Sequence, residues 1–318
     1  ITVFSKQFVG NIYIDRIQVF DPNAEDFNQI YELTNSLHFL TKQYIIEDEL
    51  LFEEGDEVDF ELMYETERNL RATNLFSNVK IEVDSVSPYY MDVYITTQDR
   101  WTTYPIVILG TGGNTTNIGT GLEELNFLGT GTHIRGEAYH RSENDIGMQG
   151  GFSLYQRRLF RSELALNFQL SANKYRTDQV LSITKPYRTK STKLAFGAEL
   201  TNTYGKDFLY NSSNKYELMS LHDRNLKLWF SHAWLKGDRV FFTSLLELQD
   251  VNRGKPEYSQ AFDNSGKILL AFSSLSQNYF RANNLNTFQT EDVPIGGWGS
   301  AVLGKIFPIE DKGESYYY

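Results

Sequence analysis

The chain has 318 residues, 30 Lys plus Arg against 41 Asp plus Glu, a formal net charge of −11, and no cysteine. The missing cysteines exclude a disulfide scaffold, Cys-ligated metal and thiol chemistry, and the acidic balance argues against a duplex-binding surface, which needs a concentrated basic patch. No run reaches the roughly 18 apolar residues of a spanning helix, yet a barrel strand crosses with only ~9–11 residues and one apolar face, so 20 Tyr and 22 Phe leave an interfacial aromatic girdle open. No signal peptide is legible, and a start at Ile1 rather than Met suggests a processed or trimmed chain.

The first hundred residues are mixed. Asn11–Phe20 is expected as a strand ended by the turn Asp21-Pro22-Asn23. Residues 27–40 are compatible with helix but poorly patterned. Residues 41–52 are a better helix, with Thr41 as its cap and Ile45, Ile46, Leu50 and Leu51 as its buried stripe, stopped by Gly55. A second helix runs from an Asp59 cap to about Asn74, with Phe60, Met63 and Leu70 on one face. It ends in Leu75-Phe76. Its acidic residues Glu61, Glu65 and Glu67 precede Arg68 and Arg71, the order that the helix dipole favours. Two strands follow, Val79–Asp84 and Met91–Thr97, joined at Ser87-Pro88. Strand, helix, helix, strand, strand makes a two-layer domain, and placing the first strand requires a crossover that leaves at least one sheet edge open.

At Arg100-Trp101 the composition changes to Gly-punctuated alternation. Leu164, Leu166, Phe168, Leu170 and Ala172 oppose Ala165, Asn167, Gln169 and Ser171; Leu194, Phe196, Ala198 and Leu200 oppose Lys193, Gly197 and Glu199; Val240, Phe242, Leu246 and Leu248 oppose Thr243, Glu247 and Gln249. This is period two in segments longer than ordinary strands. About eleven such segments are counted, the first near 104–110 and the last near 299–307. If they cross a bilayer, the Leu and Phe faces meet lipid, and Asn167 and Gln169 meet the lumen.

The residues also carry a resemblance. The runs I-I-E-D-E-L-L-F-E-E-G-D (45–56), E-R-N-L-R-A-T-N-L-F-S-N-V-K-I-E-V (67–83) and M-D-V-Y-I-T-T-Q-D (91–99) resemble a POTRA domain, the module that precedes the barrel in the Omp85 superfamily of outer-membrane proteins. The block N-x-G-x-G-x-x-x-x-N-F-L-G-T-G from Asn117 to Gly131 resembles the opening hairpin of the barrel in that superfamily's assembly-factor (BamA-like, surface antigen) branch. The implied fold is an α+β POTRA-like domain over 8–99, then an all-β antiparallel transmembrane barrel over 102–318. Family barrels have sixteen strands, whereas the residues after Trp101 support about eleven or twelve at ~18 residues per strand and turn. The family's inward loop with an arginine next to glycine and an aromatic has no match, so the barrel is expected to be incomplete; a complete ten- or twelve-stranded barrel is the competing account.

The resemblance implies a weak seam on the first barrel strand, at Tyr104, Ile106, Ile108, Gly110, Gly112 and Gly113; Pro105 and the glycines are independent reasons for weak pairing there. Arg100 and Trp101 are the expected junction at the membrane interface, with ordinary domain packing weighed equally. The implied function is an outer-membrane insertase that receives unfolded barrel clients and templates their strands. The alternatives are a two-partner-type secretion channel threading polypeptide through the lumen, or a passive barrel. Its partners would be unfolded outer-membrane proteins, the lipid bilayer and periplasmic or lipoprotein accessory subunits, and no nucleic acid; its place would be the Gram-negative outer membrane with the N-terminal domain in the periplasm. No enzyme, cofactor or metal is expected. Gly110-Thr-Gly112-Gly113 and Gly129-Thr-Gly131 lack the Lys-Ser/Thr of a phosphate loop, the five His form no ligand spacing, and no G-x-S-x-G occurs. Asp263-Asn-Ser-Gly reads as a surface turn.

Overall fold

A computed structural model describes residues 6–317 apart from 114, 211–215, 237, 256, 258–259, 261, 284, 286–289 and 310–314. Contacts divide the chain into two units: the first takes the N-terminal residues to Thr103 with Glu124–His133 and Tyr279–Pro294, and the second takes Tyr104–Glu123, Ile134–Asn278 and the rest.

The first unit holds β1 (Phe8–Ile17), α1 (Gln29–Leu37), α2 (Gln43–Glu47), α3 (Phe60–Arg71), β2 (Phe76–Ser85) and β3 (Tyr90–Asp99). Its sheet runs β1-β3-β2, with β1 parallel to β3 and β2 antiparallel to it, so the crossover through the helices is realised. Val9, Ile46, Met63, Leu70, Val79, Val93 and Ile95 form one buried cluster between helices and sheet. Each such side chain contributes about 1.5–3 kcal/mol when fully buried.

Several local expectations shift. β1 starts three residues earlier than its alternation suggested. The helix expected over 41–52 shrinks to the five residues of α2, and Thr41 does not cap it: Lys42 occupies the N-cap with no side-chain bond. Asp59 does cap α3, accepting from the N–H groups of Glu61 (2.8 Å) and Leu62 (3.3 Å). That helix ends at Arg71, so Phe76 opens β2 instead, and Phe60 is half exposed rather than part of the core. The stretch with poor pattern is α1, capped by Asn28 and tied down by Asn35, which bonds both backbone groups of Phe20. Its Ile30, Leu33 and Leu37 are all exposed.

Eleven long strands then make one antiparallel meander: β4 (Thr103–Gly112), β5 (Thr115–Phe127), β6 (Thr132–Arg141), β7 (Gly147–Gln156), β8 (Ala165–Asn173), β9 (Arg176–Lys185), β10 (Leu194–Tyr210), β11 (Tyr216–Lys236), β12 (Asp238–Arg253), β13 (Asn264–Asn283) and β14 (Thr290–Pro308). A two-residue β15 (Tyr316–Tyr317) completes a twelve-stranded sheet in chain order, with β4 and β15 at its edges; among the described residues no pairing closes the sheet. The long segment after residue 215 is a single strand without a break. Asp263-Asn-Ser-Gly is not a turn: Asn264 to Gly266 lie in β13, and buried Asp263 holds Arg253 through two bonds of 2.9 and 3.0 Å. Hydrophobic alternation could not reveal this, because the arginine that pins the aspartate lies ten residues away.

Register explains the two faces. Leu154, Phe168, Leu181, Leu200, Leu226 and Leu248 stand directly opposite one another across β7 to β12, forming one apolar row. The adjacent row on the same face changes abruptly to Gln179, Asn202, Arg224, Asp250 and Asn264. Leu164 falls in the turn before β8 rather than on this face. On the opposite face, Glu199, Lys227, Glu247 and Lys267 make a cross-strand row of alternating charge, with Lys227 Nζ 3.1 Å from Glu199 and Lys267 Nζ 2.9 Å from Glu247. Apart from Gly266, the strand residues buried in β8 and β10–β13, including Ala195, Met219, Ala233 and Val251, share the charged face, while the large apolar side chains of the other face are exposed or half-buried. A water-soluble sandwich has the reverse arrangement.

Candidate functional site

Asp99, the last residue of β3, is completely buried and lies opposite Phe76, the first residue of β2. Its Oδ2 accepts from the Thr41 N–H (2.7 Å), the Thr41 hydroxyl (2.9 Å) and His38 Nε2 (2.8 Å). Asn126 Nδ2 donates in turn to Thr41 Oγ1 (2.8 Å), and Asn126 Oδ1 accepts from the Gly131 N–H (2.8 Å). The Lys42 N–H donates to the Gly129 carbonyl (2.9 Å), and Arg16 of β1 donates to the Thr41 carbonyl (3.0 Å). The turn between β5 and β6 is thus bonded to the end of the three-stranded sheet through Thr41.

The turn's shape follows from its sequence. Leu128, Gly129 and Gly131 have φ of +55°, +72° and +64°. A side chain at Gly129 would bring a Cβ to 2.5 Å from the Leu40 carbonyl oxygen, so only glycine supplies both the left-handed backbone and the close approach. These residues belong to the N-F-L-G-T-G block singled out from sequence, although their bonds to Thr41 and Lys42 had no sequence signal.

A second group lies along α3. Arg71 forks onto Asp292 (2.8 and 2.9 Å) and also pairs with Glu67 (2.8 Å), while Arg281 pairs with Glu67 (2.9 Å). Arg68 lies 4.1 Å over the Tyr279 ring. The charges that sequence reading assigned to the helix dipole are therefore largely withdrawn from water into ion pairs.

The residues expected at the seam sit together on β4, an edge strand of the larger sheet. Tyr104, Ile106 and Ile108 are half-buried on one face and Val107 and Leu109 are exposed on the other; Gly110 and Gly112, on the first face at the strand's end, are exposed too. Gly113 follows in the turn with φ +58°. A Cβ built at Gly110, Gly112 or Gly113 meets nothing within 4 Å, so none of the three is required by crowding. Arg100 and Trp101 are at the joint just described: the Arg100 N–H donates to the Leu75 carbonyl (3.0 Å), and Trp101 gives its indole N–H to the Thr103 carbonyl with its ring 6.5 Å from His38.

The smaller sheet has two unlike edges. Along β1, the Val9 N–H donates to Asp56, the Gly55 N–H to Val9, and Phe8 bridges Glu57, so the segment after α2 covers its first half. The outer side of β2 has no strand partner among the described residues, and Lys80, Glu82 and Asp84 line it with exposed side chains. Among the described residues no group of three or more His, Cys, Asp or Glu is placed to hold a metal ion.

No protein-family model matches the sequence, and no curated protein matches it. Solved structures with a similar chain course include BamA from Haemophilus ducreyi lacking POTRA domains 1–3 (10% identity, TM-score 0.39, 96% of this chain and 81% of that one). Two others are CdiB from Acinetobacter baumannii (10%, 0.45, 98% of this chain) and CdiB from Escherichia coli (10%, 0.42, 93% of this chain). The chain spans 62% and 61% of the two CdiB chains.

Proposed function

We propose that the chain is an Omp85-type outer-membrane protein whose N-terminal unit is a POTRA domain in the periplasm, and that it assembles other barrel proteins into the membrane. The observation that carries this reading is the pairing of an outward apolar face with bare strand edges. A six-strand Leu/Phe row left exposed or half-buried, on the side opposite a paired Glu-Lys ladder and the buried small side chains of the sheet, is what a lipid-spanning sheet needs and what a soluble one avoids. The outer edge of β2 offers unpaired backbone to an extended client, and β4 offers a second edge where unpaired groups in hydrocarbon are costly. A client strand supplied to β4 is spared that cost, so no substrate chemistry is needed. Unfolded outer-membrane proteins are the clients, with the lipid bilayer and periplasmic accessory subunits as the remaining partners; Arg100 and Trp101 mark the level at which the chain enters the membrane.

A second reading, a secretion channel, is favoured by one observation: the Glu199-Lys227-Glu247-Lys267 row lines the inner face with polar groups along which a polypeptide can pass. A cysteine at Ile108, crosslinked to a stalled nascent barrel protein, separates the two. Adducts at Ile108 are expected for templating. Adducts confined to inner-face positions such as Asn167 or Glu199 would establish threading and overturn the assembly reading.

A further inference from the structure

We infer that Asp99, Thr41 and Asn126 form a joint that passes occupancy of the β2 edge to the β5–β6 hairpin, with Thr41 as its positioning residue. The inference deepens the assembly reading and rests on it for the client, but not for the mechanical link itself. All three side chains are buried, so none exchanges its bonds with bulk water. They act in series: the Thr41 hydroxyl donates to Asp99 and accepts from Asn126, and Asn126 fixes the turn through Gly131. At the other end, Asp99 faces Phe76 at the root of β2, and the Ser77 hydroxyl donates to the Asp99 carbonyl (3.1 Å). A strand added along β2 therefore acts on the residue pair that holds the relay.

Coupling between sites requires an element with two arrangements, and the Asp99 carboxylate supplies one. Oδ2 holds three donors, whereas buried Oδ1 makes no hydrogen bond among the described residues. A small rotation of the carboxylate moves a donor from one oxygen to the other without exposing either. That shift draws the Thr41 hydroxyl, and with it Asn126 and the turn, while Arg16 and the Gly129 carbonyl hold the peptide group that joins Thr41 to Lys42. Simple adhesion would be served equally by apolar contacts, such as those Leu75 and Ile45 already offer beside Gly131.

The test uses the full chain in lipid nanodiscs, with amide exchange read by mass spectrometry and a synthetic ten-residue peptide of alternating Val and Thr as the added strand. In the unmodified protein the peptide should protect 76–85 and change exchange over 115–132 by at least roughly fivefold, the low end of ordinary coupling between sites. Thr41→Val and Asn126→Ala should keep the protection of β2 and lose the response of the hairpin; Thr41→Ser, which keeps the hydroxyl, should restore it. Without peptide, Asn126→Ala should also speed exchange at 76–79. A hairpin response that survives Thr41→Val, or is lost equally in Thr41→Ser, overturns the joint. If the peptide leaves 76–85 unprotected, the client reading fails, and exchange at 76–79 in Asn126→Ala alone decides the joint: faster exchange upholds it and unchanged exchange overturns it.

Discussion

Replacing Asp292 by Asn should loosen α3 by about 2 kcal/mol, a value bracketed by the cost of breaking exposed pairs and of breaking fully buried ones. Exposed pairs contribute roughly 0.2–1 kcal/mol, and removing one partner of a fully buried pair costs roughly 3–5 kcal/mol. Here the side chains of Arg71 and Asp292 are 11% and 14% exposed, close to the buried limit. Arg71 nevertheless retains Glu67 at 2.8 Å, so its charge is not left alone and the cost falls below the buried range. At about 1.4 kcal/mol per tenfold, 2 kcal/mol is roughly a 30-fold gain in local opening. The assay is amide exchange of 60–71 in the intact protein, in a double-mutant cycle of Arg71→Gln with Asp292→Asn. The two changes should be strongly non-additive, by ~1–2 kcal/mol, because each removes the same fork. Additivity within about 0.3 kcal/mol would show that the fork adds nothing to α3 and refute the argument.

Three further outcomes follow from the geometry. Gly129→Ala should cost about 2–3 kcal/mol, from a left-handed φ and a Cβ against the Leu40 carbonyl, and should appear as a lower urea midpoint for the first unit. Phe168→Arg should cost ~2–4 kcal/mol if the apolar row meets lipid near the midplane, read by unfolding from liposomes, while Gln169→Arg on the other face should cost far less. Asp145 should titrate below the ordinary aspartate range, because Lys174 hydrogen-bonds to it and adds its charge. Its contribution is therefore present above the unfolded aspartate pKa and lost as pH falls through the lowered value; NMR titration of a Lys174→Ala variant should return it to normal.

What the sequence made legible is what local pattern encodes. The eleven long strands were legible because alternation over nine or more residues has no competing explanation, and the capped α3 because Asp59 precedes a helical run. Thr41 was misread because a Thr before an apolar run is a cap signal; the buried carboxylate that claims its hydroxyl lies 58 residues away. The acidic-to-basic order along α3 was legible, but the partners of Glu67 and Arg71 were not, since helix periodicity cannot see Arg281 and Asp292 more than 200 residues later. The N-F-L-G-T-G block was visible as a pattern, and its left-handed backbone follows from its glycines. Its attachment through Asn126 is tertiary and had no local trace.

The bare edge on β4 also has a direction. At its root, Thr102 is buried and its carbonyl accepts from the Leu125 N–H (3.1 Å), the Thr103 hydroxyl bonds Glu124, and Trp101 bonds the Thr103 carbonyl. At its tip, Gly110, Gly112 and Gly113 have open space where a side chain would stand. Local opening begins where buried contacts are few, so the strand peels from the Gly110–Gly113 end while its root stays bonded. Under the assembly reading proposed above, a client strand exchanges with β4 progressively, from tip to root, without the hairpin being released from Thr41. An edge weak along its whole length would not combine exchange with a fixed register. The glycines at the tip of β4, together with the anchored turn one hairpin away, provide both.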